Sequence, residues 1–147
     1  AFKTQPYVSP KTFRRVFLPH YRRVVEQIGK PWIFHSDGNL TPILDDLLSL
    51  GMDGLHPIEP AAMDIRLLKQ RYGGQVCLVG GIDLDLLSRG TPEQVVECTR
   101  QVLAAAAPGG GYIAGSSNSI PYYCQARNVA AMRRAVARYG EPHHSQN

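Results

Sequence analysis

Short apolar runs alternate with longer amphipathic stretches along the whole of this chain, and that alternation narrows the fold more than any single residue does. An apolar run too short for a helix, followed by a stretch with helical spacing, is the pattern of a βα unit, and successive units build a parallel sheet. The apolar runs are residues 30–35, 52–56, 75–80 and 111–114. The run at 75–80, Gln-Val-Cys-Leu-Val-Gly, is the plainest strand because it is nearly continuously apolar, as a strand covered on both faces must be. The run at 52–56 is the weakest.

Helices are expected between and around these strands. The first spans 9–29, with Ser9 as N-cap, Pro10 in the first position and an interruption at Pro19. The next opens at Thr41-Pro42 and runs to Gly51, and a third covers 62–72 with Ile65, Leu67, Leu68 and Tyr72 for its buried side. Thr91-Pro92-Glu93 opens a fourth carrying Val95, Val96, Val102 and Leu103, and the last covers 128–139 and stops at Gly140.

Four βα units cannot close a barrel that needs eight strands, and left alone they expose two sheet edges and an inner face. The expected architecture is therefore α/β, one domain over residues 1–147, forming half of a (β/α)8 TIM barrel. A missing amino-terminal half or a second copy in a homodimer would complete it. The rival is a doubly wound sheet, but no Gly-x-Gly-x-x-Gly turn follows the first strand. The Gly109-Gly110-Gly111 run precedes a strand and reads as a flexible turn leading into it.

Composition excludes several classes of function. The net charge of +4 is spread over several segments, and Arg14, Arg15, Arg22 and Arg23 fall at helical spacing as a solvated helix face, so no nucleic-acid partner is expected. Three widely spaced cysteines, Cys77, Cys98 and Cys124, form neither a disulfide framework nor a Cys-x-x-Cys metal knuckle, and fit a reducing cytoplasm. No apolar run approaches the ~18 residues of a membrane span, and no membrane partner is expected.

If the strands are parallel, the loops after them converge on one rim, where barrels of this kind place their chemistry. His35-Ser36-Asp37-Gly38-Asn39 follows the first strand, His56-Pro57-Ile58-Glu59-Pro60 the second, Gly80-Gly81-Ile82-Asp83 the third and Gly115 to Pro121 the fourth. His35 and Asp37 can act as metal ligands or as an acid–base pair. Glu59 could bring a further carboxylate, or belong to an ordinary loop. Gly80 and Gly81 let a backbone or ligand approach closely. Asp83 serves either as a binding group or as the cap of a short helical turn at 84–87. The serines at 116, 117 and 119, with Asn118, offer hydroxyls and an amide for binding, but no adjacent base makes a nucleophile of any serine.

At these residues a resemblance becomes specific. Ser9-Pro10 with Phe13, Pro19 and Tyr21, then Pro31 to Asn39, Gly80 to Asp83, and Gly110 to Ile113 continuing through Ser119-Ile120-Pro121 resemble successive blocks of the uroporphyrinogen decarboxylase superfamily. They match its carboxyl-terminal half. The resemblance implies a (β/α)8 barrel and one of two activities. One branch decarboxylates uroporphyrinogen without a cofactor. The other moves methyl groups between small methylated compounds or a corrinoid protein and a thiol, using zinc held by His-x-Cys and a second Cys in the last loop.

In this chain His35 fits the first zinc position, whereas Asp37 stands where Cys is expected and Asn118 stands near the second. Such a set is harder than the thiolates that activate a thiol. A zinc site using His35, Asp37 and Glu59 is the metal expectation. For the decarboxylase branch, the tetrapyrrole-holding residues of the amino-terminal half lie outside this chain, and Asn118 stands at the place of the last-loop histidine.

The resemblance thus points to a methyltransferase-like member with His35 and Asp37 catalytic. Asn39, Gly80, Gly81, Asp83, Ser117 and Asn118 would bind a small substrate: a methylated compound, a corrinoid or a tetrapyrrole. The alternatives are a fragment of a decarboxylase of porphyrin biosynthesis and a catalytically silent half-barrel that serves as a self-associating binding module.

Overall fold

The structure, a computed structural model, describes residues 1–140. Its first helical stretch has three parts, α1 (Pro10–Thr12), a π-helical turn (Phe13–Phe17) and α2 (Leu18–Val25). The Ser9 side chain caps it by accepting from the Thr12 N–H. Pro19 has no N–H to give and its ring crowds the carbonyl four residues back. The wider π turn just before it, in which the Leu18 N–H reaches back to the Phe13 carbonyl, accommodates that ring without ending the helix.

Four βα units follow. Strand β1 (Ile33–His35) leads through a 3-10 turn (Thr41–Ile43) to α3 (Leu44–Leu48), and β2 (Gly54–Ile58) leads to α4 (Ile65–Tyr72). Strand β3 (Cys77–Ile82) is followed by α5 (Leu84–Arg89) and α6 (Pro92–Ala106), and β4 (Tyr112–Ser116) by α7 (Ala126–Tyr139). Local chemistry sets the helix starts. Asp64 and Asp83 each cap the helix that follows by accepting a backbone N–H. Thr91 and Gln94 form a reciprocal capping box. Among the described residues no helix is long and apolar enough to cross a membrane.

All three strand pairings are parallel and the spatial order is β1-β2-β3-β4, the chain order. This is the expected partial TIM-barrel arrangement. Phe34, Leu55, Leu78 and Tyr112 align across the sheet and face the helices, where they pack with Leu44, Leu47, Ile65, Leu68 and Tyr72. A second cluster, Ile82, Leu87, Val95 and Ala131, fills the space under α5 to α7. The alternate residues, Ile33, Cys77, Val79 and Ile113, lie on the opposite face, which no helix among the described residues covers. Ile33 and Ile113 are each 52% exposed there.

Several boundaries differ from expectation. β2, β3 and β4 each run two residues further than their apolar runs, so Pro57, Ile58, Gly81, Ile82, Gly115 and Ser116 lie in strands rather than in trailing loops. The β2–β3 register shifts between Leu55 and Ile58, where Pro57 offers no N–H to the ladder. Leu67, expected on the buried side of its helix, is 65% exposed, because Ile65, Leu68 and Tyr72 already fill the inward stripe of α4. The basic helix is tied down in part: Arg14 pairs with Asp46 at 2.9 Å and Arg22 donates to the Ser49 hydroxyl.

Gly80 and Gly81 have φ of +112° and +94°. A Cβ on Gly81 would stand 2.8 Å from Ile65 Cδ1 and 3.2 Å from Val102 Cγ1, so glycine is what lets α4 and α6 close on the sheet. Gly81→Ala is expected to destabilise the chain by about 1–3 kcal/mol. Gly74→Ala, where a Cβ meets nothing within 4 Å, serves as the control. Urea midpoints check this, and equal midpoints for the two variants would refute it.

Candidate functional site

His35 and His56 are register partners at the carboxyl ends of β1 and β2, so their side chains share the face that the helices leave open. Their Nδ1 atoms lie 2.8 Å apart, in hydrogen-bond contact, with ring centroids separated by 4.7 Å. The β1 loop then turns so that Asp37 Oδ1 comes within 3.7 Å of His35 Nε2. The Asn118 side-chain amide, in the loop after β4, donates to the same Asp37 oxygen at 2.8 Å. The first and last loops of the sheet therefore meet directly, across a sequence separation of 81 residues.

The Asn118 loop is itself braced. Ser116 Oγ donates to the Asn118 carbonyl, and Asn118 Oδ1 accepts the Ser119 N–H. Ser117, 5% exposed, takes the Leu84 N–H on its hydroxyl and gives its own N–H to Ile82, tying the end of β4 to the start of α5.

Beside this cluster a cavity of about 260 Å³ gathers Glu59, Asp83, Ser117 and Asn118 from the expected set, with Lys3 and Tyr123. Burial pushes the Glu59 carboxyl above its ordinary range, and the charges of Asp37 and Asp83 add to that, against the opposing pull of Lys3 and the Gly38 N–H. Burial, and after it the neighbouring His35, holds the His56 imidazole below its ordinary value, with Asp37 opposing. A larger hollow of about 670 Å³ lies on the helix side, where Ile65, Leu86 and Val102 line it with Cys98. None of His35, Asp37, His56 or Asn118 reaches it.

Four of the expected site residues are engaged in holding the fold. The Asn39 side chain is engaged at both ends, donating to the Thr4 carbonyl and accepting the Thr41 N–H, so it fastens the amino-terminal segment. Gly80 and Gly81 are buried inside β3 against backbone and helix side chains. Asp83 caps α5, yet also lines the 260 Å³ cavity. The zinc set of His35, Asp37 and Glu59 is not assembled: among the described residues no three His, Cys, Asp or Glu side chains are grouped to hold a metal ion. The two His35 nitrogens face His56 and Asp37 instead.

His56 is the functional candidate that sequence reasoning passed over. Its signal was present: Gly54-Leu55-His56 ends, like Ile33-Phe34-His35, on a histidine after an apolar residue, and parallel register sets the two side by side.

Comparison with known proteins bears on the fold and the family. The model of the family described as uroporphyrinogen decarboxylase (URO-D) matches residues 3–139. A methylated-thiol–coenzyme M methyltransferase of Methanosarcina mazei is 29% identical over 129 residues, covering 87% of this chain and 33% of that protein. A uroporphyrinogen decarboxylase of Shewanella loihica is 23% identical over 147 residues, covering 93% of this chain and 40% of its own length. Among solved structures, a methyltransferase from Methanosarcina mazei superposes with a TM-score of 0.77 at 21% identity, over 95% of this chain and 40% of that one. The chain thus spans between a third and two-fifths of the relatives it matches. With the family model covering nearly all of it, and with parallel βα units that superpose on a methyltransferase fold, this chain belongs to the uroporphyrinogen decarboxylase (URO-D) family.

Proposed function

We propose that this chain supplies the carboxyl-terminal half of a methyltransferase-like active site, and that the rim of His35, His56, Asp37 and Asn118 with its adjoining cavity takes a small methylated compound or thiol. The observation that carries the reading is the Asn118–Asp37 hydrogen bond, which draws the first and last loops into one surface beside His35. The methyltransferase relative, named for a methylated thiol, supports the substrate class.

Electrostatics weighs against the decarboxylase alternative. Asp37, Glu59 and Asp83 face this region with Lys3 as the cation lining the cavity, and the charge of Asp37 and Asp83 already raises Glu59. A tetrapyrrole rich in carboxylates would meet like charge there, whereas a neutral methylated thiol would not. The uncovered face that bears Ile33 and Ile113 calls for further strands, which we assign to the other half of the barrel. Light scattering on the isolated chain tells whether a second copy takes that place.

Calorimetric titration of a methylated thiol into the completed barrel tests the reading. Asn118→Ala and Asp37→Ala should each weaken binding about tenfold, equal to ~1.4 kcal/mol. Stability should change by less than about 1 kcal/mol, because the bond they remove is exposed. Wild-type affinity in both variants would refute the reading.

Glu59 provides a separate check on the polarity of the cavity. A carboxyl whose folded pKa is raised opposes folding only once it ionises. The penalty is absent below the ordinary carboxyl value, grows as pH rises through the window up to the raised folded value, and is constant above it. Glu59→Gln should therefore melt higher than wild type at neutral pH, with the gap closing in acid. A gap independent of pH would contradict this account of Glu59.

A further inference from the structure

The 670 Å³ hollow on the helix side plays no part in the rim. It is bounded by the start of α4, by α5 and by one stripe of α6, in which Cys98, Gln101, Val102 and Ala105 fall at helical spacing. Ile65, Leu86 and Val102 give it an apolar wall, and Gly81, without a side chain, lets it reach down to the sheet. Burial pushes the Cys98 group up, so near pH 7 it lines the hollow as an uncharged thiol. A concave space of this volume with such walls has the dimensions of a small-molecule pocket.

The groups at its mouth define what would fit. Arg66 at the start of α4 and Arg89 at the end of α5 both stand there, the first facing Asp64 at 3.4 Å and the second paired with Asp85. Asp83 is engaged as the cap of α5, Gln94 closes the capping box of α6, and Gln101 donates to Glu97. The carboxylates are thus occupied, whereas a guanidinium carries five N–H donors and these pairs use only some of them. Donor capacity is what remains, while Asp64 and Asp85 cancel the charge of the two arginines. An anion would meet Asp83 besides; an uncharged acceptor would not. A flat ring suits the rest of the lining, because guanidinium groups and the sulfur of Met63 both pack well against aromatic faces and edges.

We propose that this hollow is a second small-molecule site, taking an uncharged aromatic compound whose ring lies against Ile65, Leu86 and Val102 and whose carbonyl accepts from Arg66 and Arg89. It is independent of the reading of the rim. Pro60, Asp83 and Asp85 line both cavities, so the two are neighbours divided by a single wall.

Prodan, an uncharged naphthyl ketone whose emission shifts to the blue in apolar surroundings, is the probe, titrated into the full chain. Alkylation of the cysteines by iodoacetamide, read peptide by peptide in a mass spectrometer, locates it. Cys98 lines the hollow, whereas Cys77 lies on the uncovered face of the sheet and reports binding there. At about four times the dissociation constant of prodan, Cys98 should be alkylated about fivefold more slowly, with Cys77 and Cys124 unchanged. Ala105→Phe, which fills the hollow, should abolish that protection, and Arg66→Met combined with Arg89→Met should weaken prodan about tenfold. Anilinonaphthalene sulfonate, an anion of similar size, should leave Cys98 unprotected. Alkylation of Cys98 at one rate with and without prodan, or slowing at Cys77 in its place, would overturn the site. Equal protection by the sulfonate, or full affinity after loss of both arginines, would overturn the ligand class.

Discussion

A parallel strand pair cannot be closed by a hairpin; the chain must leave one strand at its carboxyl end, cross over the sheet and re-enter beside its neighbour from the starting side. Repeated three times in chain order, that constraint fixes most of what matters in this molecule. It puts every crossover helix on one face, so one set of alternate residues becomes core and the other is left bare. It also delivers every loop that follows a strand to the same end. The meeting of His35, His56, Asp37 and Asn118, drawn from three different strands, is a consequence of strand direction before it is one of side-chain chemistry.

The same constraint explains what the chain does not contain. A sheet of four parallel strands has the one-sided helix cover of a barrel wall without the closure, and Ile33 and Ile113 remain half exposed on its other face. The segment corresponds to between a third and two-fifths of its relatives. Hydrophobic burial on the helix side, from Leu44, Leu47, Leu55 and Leu78 at 0% exposure, is enough to organise the wall. The histidine pair stands on the side that the rest of a barrel would enclose, where exclusion of water would strengthen every interaction in the Asp37–His35–His56 chain.

The order and direction of the elements were legible from the sequence because hydrophobic periodicity and capping residues report them directly: Ser9 and Thr91 cap where they were expected to, and Asp83 takes the capping role that the sequence left open beside a binding one. Strand ends were less legible. Gly80-Gly81 and His56-Pro57 have low strand propensity, and their strand conformation is imposed by neighbours, namely the backbone of Ile58 and Ser116 around Gly80 and the side chains of Ile65 and Val102 against Gly81. At the site, convergence of His35, Asp37 and Asn118 was readable from strand direction and family resemblance. The role of Asn39 was not, since its partner is the carbonyl of Thr4, in a segment without pattern of its own. His56 was missed because Pro57 and Pro60 mark a loop in the sequence, and only the register with β1 brings it beside His35.

The central claim is that the loops after the first and last strands form one surface, and the most direct measurement is a through-space NMR contact between them. The account predicts cross-peaks from the Asn118 side-chain amide protons to the Asp37 methylene, with slowed exchange of those amide protons. Amide protons that exchange freely and show contacts within their own loop alone would contradict it.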